Sequence, residues 1–321
     1  MTKMRRTKAL LIAAVVSVLL TGQVVVQGQG GQGGQRDGRK SGSAKPVTVP
    51  VTIKVRRPTR EVEMRFVDFL FLKEDGEVQT ILSTRGRVEN PITLAILIQD
   101  DLVSSVSTEA KGLANFVRRL PPGSRVMIGY IRTSTLDVRR KFTTDLEKAA
   151  KGLRPPMGLA SASPYNPFVE VIEALRRFDS QPLGRRAIML VSDGLDTSRG
   201  VDSSSPGLSL DLQRAINEAQ RRSVAIYSIY APSANSSGSL LGSNGQSCLE
   251  RLSSETGGRA FFEGMGAPVS FDPFLREIDA SISMQIALTY LSTHPGKGFH
   301  KLEIKPLGRD VEIRHPAGYP R

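Results

Sequence analysis

The 321-residue chain has no tryptophan, a single cysteine, three histidines and only 6% aromatic residues. Each scarcity excludes something. With Cys248 alone, no internal disulfide can form, and in an exported protein a lone thiol is either buried or reactive. Leu249 and Leu252 beside it mark an amphipathic helix and favour burial. His294, His300 and His315 all lie in the last part of the chain and lack the His-x-x-x-His spacing of a helical zinc site. Ser192-Asp193-Gly194 is not the Gly-x-Ser-x-Gly elbow of a nucleophilic serine. The Gly/Gln run of residues 28–35 follows no predicted strand, so it is no phosphate-binding loop. The lack of a nucleophile–base constellation argues against a hydrolase, and the expectation is that the chain is not an enzyme.

Acidic residues are also in deficit, 31 Asp and Glu against 44 Lys and Arg, for a net charge of +13. The excess is not spread evenly. Residues 1–27 carry net +4 and residues 28–60 carry +7, which leaves +2 for everything after residue 60. A nucleic-acid-binding domain carries its charge on the fold itself. Here the leader is basic and the body is nearly neutral, so nucleic acid is not the expected partner.

What is present begins with an export signal. Lys3, Arg5, Arg6 and Lys8 precede the apolar run from Ala9 to Leu20, the layout of a secretory leader. No Ala-x-Ala site follows, and Val24, Val25 and Val26 extend the run toward membrane-spanning length. Residues 1–28 therefore read as a signal peptide or an uncleaved N-terminal anchor, which would be the chain's one link to a membrane. Either way the body lies outside the cytoplasm: periplasmic, on the cell surface or secreted. Residues 29–45, rich in Gly, Gln and Ser, form a flexible tether.

Residues 46–88 read as an N-terminal β segment. Val47 to Val55 alternates like an exposed strand, with Pro50 suggesting an edge, and Glu74-Asp75-Gly76 makes a tight turn into Val78–Leu82. Residues 89–283 alternate strand and helix. The organising stretch is Leu94 to Ile98, a continuous apolar strand of the kind buried on both faces of a parallel sheet. It stops at Gln99, Asp100 and Asp101. Ala187 to Val191 is a second such strand, ending at Ser192-Asp193-Gly194. Asn166 followed by Pro167 predicts a helix start, Leu146 to Leu153 reads as a helix, and Glu250 to Thr256 reads as a helix closed by Gly257-Gly258. Polar residues at the carboxyl ends of such strands sit where open α/β sheets place ligands. Residues 284–321 revert to strands joined by Gly/Pro turns. The fold class is thus α/β: a doubly wound, mostly parallel, Rossmann-like sheet inserted between the N- and C-terminal strands of a small β domain.

Three features in this order carry a family resemblance: the apolar strand ending in acids and hydroxyls, Leu190-Val191-Ser192-Asp193-Gly194, and Leu252 to Gly258 with an aromatic strand behind it. Together they resemble the von Willebrand factor A (vWA) domain. The flanks resemble exported vWA proteins known mainly from Acidobacteria, through Asp68, Glu74-Asp75-Gly76, Gly298-Phe299-His300-Lys301-Leu302, Arg314 and Gly318-Tyr319. The resemblance implies a protein-binding, adhesion-type module. It also implies a metal-ion-dependent adhesion site, with Asp-x-Ser-x-Ser after the first strand, a later Thr and an Asp after the fourth strand holding Mg²⁺.

The chain departs from that pattern. Alignment on the strand end puts Gln99, Asp101 and Val103 at the Asp, Ser and Ser positions; a slip by one puts Asp100, Leu102 and Ser104 there. Ser163 or Ser161 stands where Thr belongs, and Asp193 fits without adjustment. The candidate site is therefore a degenerate set, Asp100, Asp101, Ser104, Ser163 and Asp193. It would take Mg²⁺ or Mn²⁺, or no metal, with Asp100 and Asp101 then capping the following helix. The partner would be a protein, engaged through a carboxylate. The alternative function is a structural or assembly protein of the cell envelope that binds through its β segments, with the metal site vestigial.

Overall fold

The computed structural model describes residues 44–55, 70–132, 135–157, 166–200, 204–233, 236, 239–306 and 311–321. The leader, all but the end of the tether, Asp68, Ser161 and Ser163 lie outside these residues. Among the described residues no helix is long and apolar enough to cross a membrane.

In chain order the β segment supplies β1 (Lys45–Val55), β2 (Leu70–Glu74), β3 (Glu77–Val78) and β4 (Thr80–Arg85). The α/β region follows with β5 (Thr93–Gln99), α1 (Ala110–Arg119), β6 (Arg125–Arg132), β7 (Thr135–Thr143), α2 (Leu146–Ala150) and α3 (Pro167–Arg176). It continues with β8 (Arg186–Ser192), α4 (Leu210–Arg221), β9 (Ala225–Tyr230), α5 (Ser239–Glu255), β10 (Ala260–Phe261) and α6 (Asp272–Ser283). The chain closes with β11 (Gln285–Ser292), β12 (Phe299–Pro306), β13 (Val311–Arg314) and β14 (Gly318–Pro320).

The central sheet has the order β10-β9-β8-β5-β6-β7. Every neighbour pair is parallel except β6 with β7. Strand alternation divides the core. Leu94, Ile96 and Ile98 face one layer with α1, α2 and α6, whereas Ala95 and Leu97 face the other with α3, α4 and α5. Because both faces are covered, the strands lose any polar side and become continuous apolar runs. The helix starts follow local chemistry: Asn166 Oδ1 accepts from the Phe168 amide with Pro167 in the first turn, and Ser209 Oγ accepts from the Leu212 amide.

β1 pairs with β11 along Lys45–Thr52 and with β13 along Thr52–Val55, both antiparallel. The two ends of the chain therefore build one β domain around the α/β insertion. Its two four-stranded sheets, β13-β1-β11-β4 and β14-β12-β2-β3, share a core of Val47, Val49, Val51, Ile53, Leu72, Leu288, Tyr290, Leu302 and Ile304. Pro50 is not on an edge strand as such. β13 reaches only to Thr52, so at Pro50 the strand has a neighbour on one side only among the described residues, the setting in which a strand proline is tolerated. The opposite face of β1 meets the insertion, where Thr52 Oγ1 lies 3.2 Å from the Tyr227 hydroxyl. At the base of the central sheet Arg185 is buried and donates to the carbonyls of Asn90 and Ile282, the latter in the last turn of α6. Burial pushes its guanidinium down to about 10.

Two elements differ from their sequence expectation. α2 ends at Ala150, because Lys151 and Gly152 close a turn there. α5 starts at Ser239, well before Glu250. Its first half contains Gly242, Asn244 and Gly245, poor helix formers in isolation. They are tolerated because this half lies against the end of β8: a Cβ on Gly245 would come within 2.0 Å of the Asp193 carbonyl oxygen. Tertiary contact overrides propensity at this point.

Candidate functional site

β5 and β8 are adjacent and parallel, so the residues that follow them emerge side by side at the carboxyl edge of the sheet. Gln99, fully buried at the end of β5, joins the two ends. Its Oε1 accepts from Ser192 Oγ at 2.6 Å and from the Asp193 amide at 3.1 Å, and its Nε2 donates to Asp101 Oδ1 at 2.9 Å. Asp193 in turn accepts from the Leu195 amide at 3.1 Å and from Ser233 Oγ at 2.5 Å. Ser233 stands opposite Leu102 in an isolated bridge, so the turn after β9 is tied to the turn after β5 as well. Gly194, at φ +70°, turns the chain away beneath α5, and Gly245 lets the helix close on it.

Among the described residues neither acid in this network meets a cation. Burial raises the Asp193 carboxyl to about 6, outweighing the hydrogen bonds from Ser233 and Leu195, and the charge of Asp101 adds to the rise. Asp101 is likewise raised, first by burial.

Asp100 turns to the other side and meets a different chemistry. Arg154 grips it with both terminal nitrogens, Nη1 to Oδ1 at 2.7 Å and Nη2 to Oδ2 at 2.8 Å. The Met157 amide donates to Oδ1 at 3.0 Å, and Arg132 Nε lies 3.1 Å from Oδ2. Burial alone would push this carboxyl up. The Arg154 hydrogen bonds, the Met157 N–H and the two guanidinium charges outweigh burial and hold it below the usual carboxylate range. Arg154 is itself fixed. Its guanidinium lies 4.0 Å from the centroid of the Tyr130 ring, and the Tyr130 hydroxyl is bonded to both the Arg154 amide and the Arg154 carbonyl. A planar fork locked on a carboxylate and stacked on an aromatic ring is a rigid clasp.

The expected site residues thus separate. Asp101 and Asp193 share the Gln99 network, Asp100 belongs to the arginine clasp, and Ser163 falls outside the described residues. Ser104 opens a 3-10 helix, Ser104–Glu109, ahead of α1. The helix-capping role set out for Asp100 does not hold, since its carboxylate is on Arg154, and neither Val103 nor Glu109 at the helix N-caps makes a side-chain cap. Gln99, at the Asp position of the unslipped alignment, is the residue that joins the two strands. Arg132, Arg154, Tyr130 and Ser233 were not singled out from sequence, and Ser192 was read only as part of the strand end Ser192-Asp193-Gly194. The available signal was Arg132 at the end of its strand, next to the organising one.

The donor set does not fit a divalent cation. Mg²⁺ needs near-octahedral oxygen ligands, but Asp100 is saturated by three N–H groups and a second guanidinium. Both Asp193 oxygens already accept, and Gln99 replaces a carboxylate with a neutral amide. Among the described residues no group of three or more His, Cys, Asp or Glu is placed to hold a metal ion.

No family model matches the chain, and no curated protein matches it. Solved structures do. A von Willebrand factor type A protein from Catenulispora acidiphila aligns at 12% identity over 87% of this chain and 75% of that one, with a TM-score of 0.40. The SpRpn10 VWA domain aligns at 14% identity over 60% of this chain and 98% of its own, with a TM-score of 0.41. An aerotolerance-related membrane protein from Bacteroides fragilis NCTC 9343 aligns at 11% identity over 59% and 98%, with a TM-score of 0.40. Each of these solved structures is similar to this chain at 14% identity or below.

Proposed function

We propose that this chain is an exported protein-binding module, that it engages its partner at the carboxyl edge of the central sheet, and that it performs no catalysis. One observation carries the reading. The turns after β5, β8 and β9 are held rigid by an interlocked polar network, while Arg132 and Met157 beside them stay exposed. Rigid, solvent-facing groups on a preorganised edge suit recognition, because little freedom is lost on binding. Arg and Met are also residue types enriched at protein interfaces. The reading involves neither Mg²⁺ nor Mn²⁺, since the acids that would hold the ion already have protein donors.

The case against catalysis rests on where the reactive groups are. His300 is bonded to Asp75 and the Gly296 carbonyl, His315 to the Pro316 carbonyl, and His294 lies 3.5 Å from Glu74 and Glu77. All three are in the β domain. Cys248 is buried, its thiol pushed up to about 12, and its Sγ is 3.3 Å from the Ser204 carbonyl.

A photo-crosslinking residue at Met157, set against one at exposed Leu183 in the turn before β8, tests the reading in cell-envelope extract. Crosslinks are expected from position 157, unchanged by EDTA, and not from position 183. Equal capture from both, or capture abolished by EDTA, refutes it. Export rests on the basic and apolar leader; full-length chain in the soluble cytoplasm on fractionation overturns that part. A second reading places binding on the β domain. It is favoured by β4, an edge strand without a further neighbour among the described residues and with Leu82 half exposed. In that case crosslinks come from position 82 and not from 157.

A further inference from the structure

Glu74, the last residue of β2, is fully buried, and among the described residues neither of its carboxylate oxygens has a hydrogen-bond partner. A carboxylate held out of water without a donor is costly, so the group calls for a bound partner. Two further polar atoms share its condition: the hydroxyl of Tyr290, on β11, and Nδ1 of His294, in the loop that follows. Tyr290 is also fully buried, and burial together with the Glu74 charge pushes its phenol above the ordinary tyrosine range.

Spacing and charge define that partner. His294 Nδ1 stands 3.5 Å from Glu74 Oε2, and its Nε2 stands 3.5 Å from Glu77 Oε2. A histidine–carboxylate ion pair closes to about 2.7–2.9 Å, as His300 Nδ1 does on Asp75 Oδ2 at 2.7 Å in the same domain. Two nitrogen or oxygen donors on one tetrahedral ion, each about 2.0–2.2 Å from it, stand about 3.4 Å apart. An imidazolium at His294 would leave Glu74 Oε1 and the Tyr290 hydroxyl still without partners. The neighbouring charges are already engaged: Asp75 with His300 and the Lys301 amide, the Lys301 ammonium with Glu303, and the Arg321 guanidinium with Ser292 Oγ. Glu74 and Glu77 remain, two negative charges on either side of one imidazole, and a divalent cation balances them.

We propose that Glu74, His294 Nδ1 and the Tyr290 hydroxyl hold a Zn²⁺ ion, with solvent as the fourth ligand and Glu77 accepting from His294 Nε2–H. Imidazole with carboxylate suits zinc, whereas Mg²⁺ and Ca²⁺ take all-oxygen sites of higher coordination. An outer carboxylate on the second ring nitrogen fixes the tautomer that a ligating histidine needs. Entry is from the His294 side, where that side chain is 21% exposed. The histidine is placed before the ion arrives: the Thr293 amide and hydroxyl donate to Gln79 Oε1, and the His294 amide donates to Ser292 Oγ. Glu74 comes from the N-terminal β segment, and Tyr290 and His294 from the C-terminal one. The ion would therefore clip the two ends of the chain together across the long insertion. The site is in the β domain and separate from the sheet edge.

The test uses the metal-free full chain without an affinity tag. Calorimetry is expected to show one Zn²⁺ bound per chain, and Co²⁺ in its place to give the visible absorption of a tetrahedral ion. Mg²⁺ and Ca²⁺ should not compete. Glu77→Gln should weaken Zn²⁺ binding by roughly ten- to a hundredfold, the effect of losing an outer partner, and Glu74→Gln and His294→Ala should each weaken it further. Glu303→Gln removes the same charge from β12 and should leave binding unchanged. Thermal melting separates ligand loss from misfolding. Without metal, Glu74→Gln should melt no lower than the unsubstituted chain, because it removes a buried charge that has no partner; on adding Zn²⁺ only the unsubstituted chain should gain. Four results overturn the proposal: no Zn²⁺ binding, binding that Glu74→Gln leaves intact, equal losses from Glu77→Gln and Glu303→Gln, or Mg²⁺ or Ca²⁺ binding as tightly as Zn²⁺.

Discussion

Replacing Arg154 by Met tests the clasp directly. The substitution keeps an unbranched side chain against Tyr130 and removes the guanidinium. Asp100, its side chain 7% exposed, would then keep the Met157 amide as its hydrogen-bond donor and Arg132, with Nε at 3.1 Å, as its ion-pair partner. Hydrogen bonds to charged groups contribute about 1.5–3 kcal/mol each, and breaking a buried ion pair costs about 3–5 kcal/mol. Two facts move the expected cost below the top of that range: the Arg154 side chain is itself 24% exposed, and Arg132 remains. With the loss of the cation–π contact, about 0.5–1 kcal/mol, the expected destabilisation is about 2–4 kcal/mol. Urea unfolding monitored by circular dichroism measures it as a shift in midpoint at constant slope. A double-mutant cycle with Asp100→Asn should give a coupling of about 2 kcal/mol. The pH dependence supplies a sign. The folded-state pKa of Asp100 is depressed, so its stabilisation is complete above the ordinary Asp value near 4 and is lost as pH falls through the folded value. Arg154→Met should flatten that acid limb. A destabilisation below about 0.5 kcal/mol, or one equally large in the Asp100→Asn background, refutes the clasp as a structural element.

Asp193 behaves with the opposite sign. Its folded-state pKa is raised to about 6, so the folded state binds the proton more tightly, and stability falls as pH rises from about 4 through 6. Asp193→Asn should remove that slope and raise stability at pH 7 by roughly 1–3 kcal/mol, read from urea midpoints across pH; an unchanged slope shows that another group titrates. Gly245→Ala should destabilise by about 2 kcal/mol or more, because its Cβ would meet backbone at 2.0 Å. Gly207→Ala, with nothing within 4 Å, is the control, and equal melting of the two variants refutes the close-packing argument. A chain ending at Ser283 removes β11 and β13, both neighbours of β1. Its amides over Lys45–Val55 should then exchange freely by mass spectrometry, and retained protection would mean that β1 has another partner.

The sequence by itself determined the alternation of strand and helix, the two apolar strands at the centre, and the pairing of the chain's two ends around an insertion. These follow from local pattern. A strand buried on both faces must be apolar throughout, and strands at either end too few to form a sheet alone must find each other. The polar residues at the strand ends were legible for the same reason, since polar groups break an apolar run abruptly.

What each of those polar residues does was decided only by tertiary structure. Asp100 and Asp101 are adjacent and chemically identical, yet one lies in an arginine clasp and the other against Gln99. Their side chains leave the turn in different directions, and no periodicity encodes which neighbour each one meets. Arg154 is 54 residues from Asp100, within a Pro-rich loop that gives no sign of its partner. The first half of α5 is a poor helix by propensity and is held by its approach to Asp193. The ligand set implied by resemblance to a metal-binding family depended on spacing alone. The charge balance at the sheet edge depends on which cations fold back onto it, and that is a property of contacts between residues far apart in the chain.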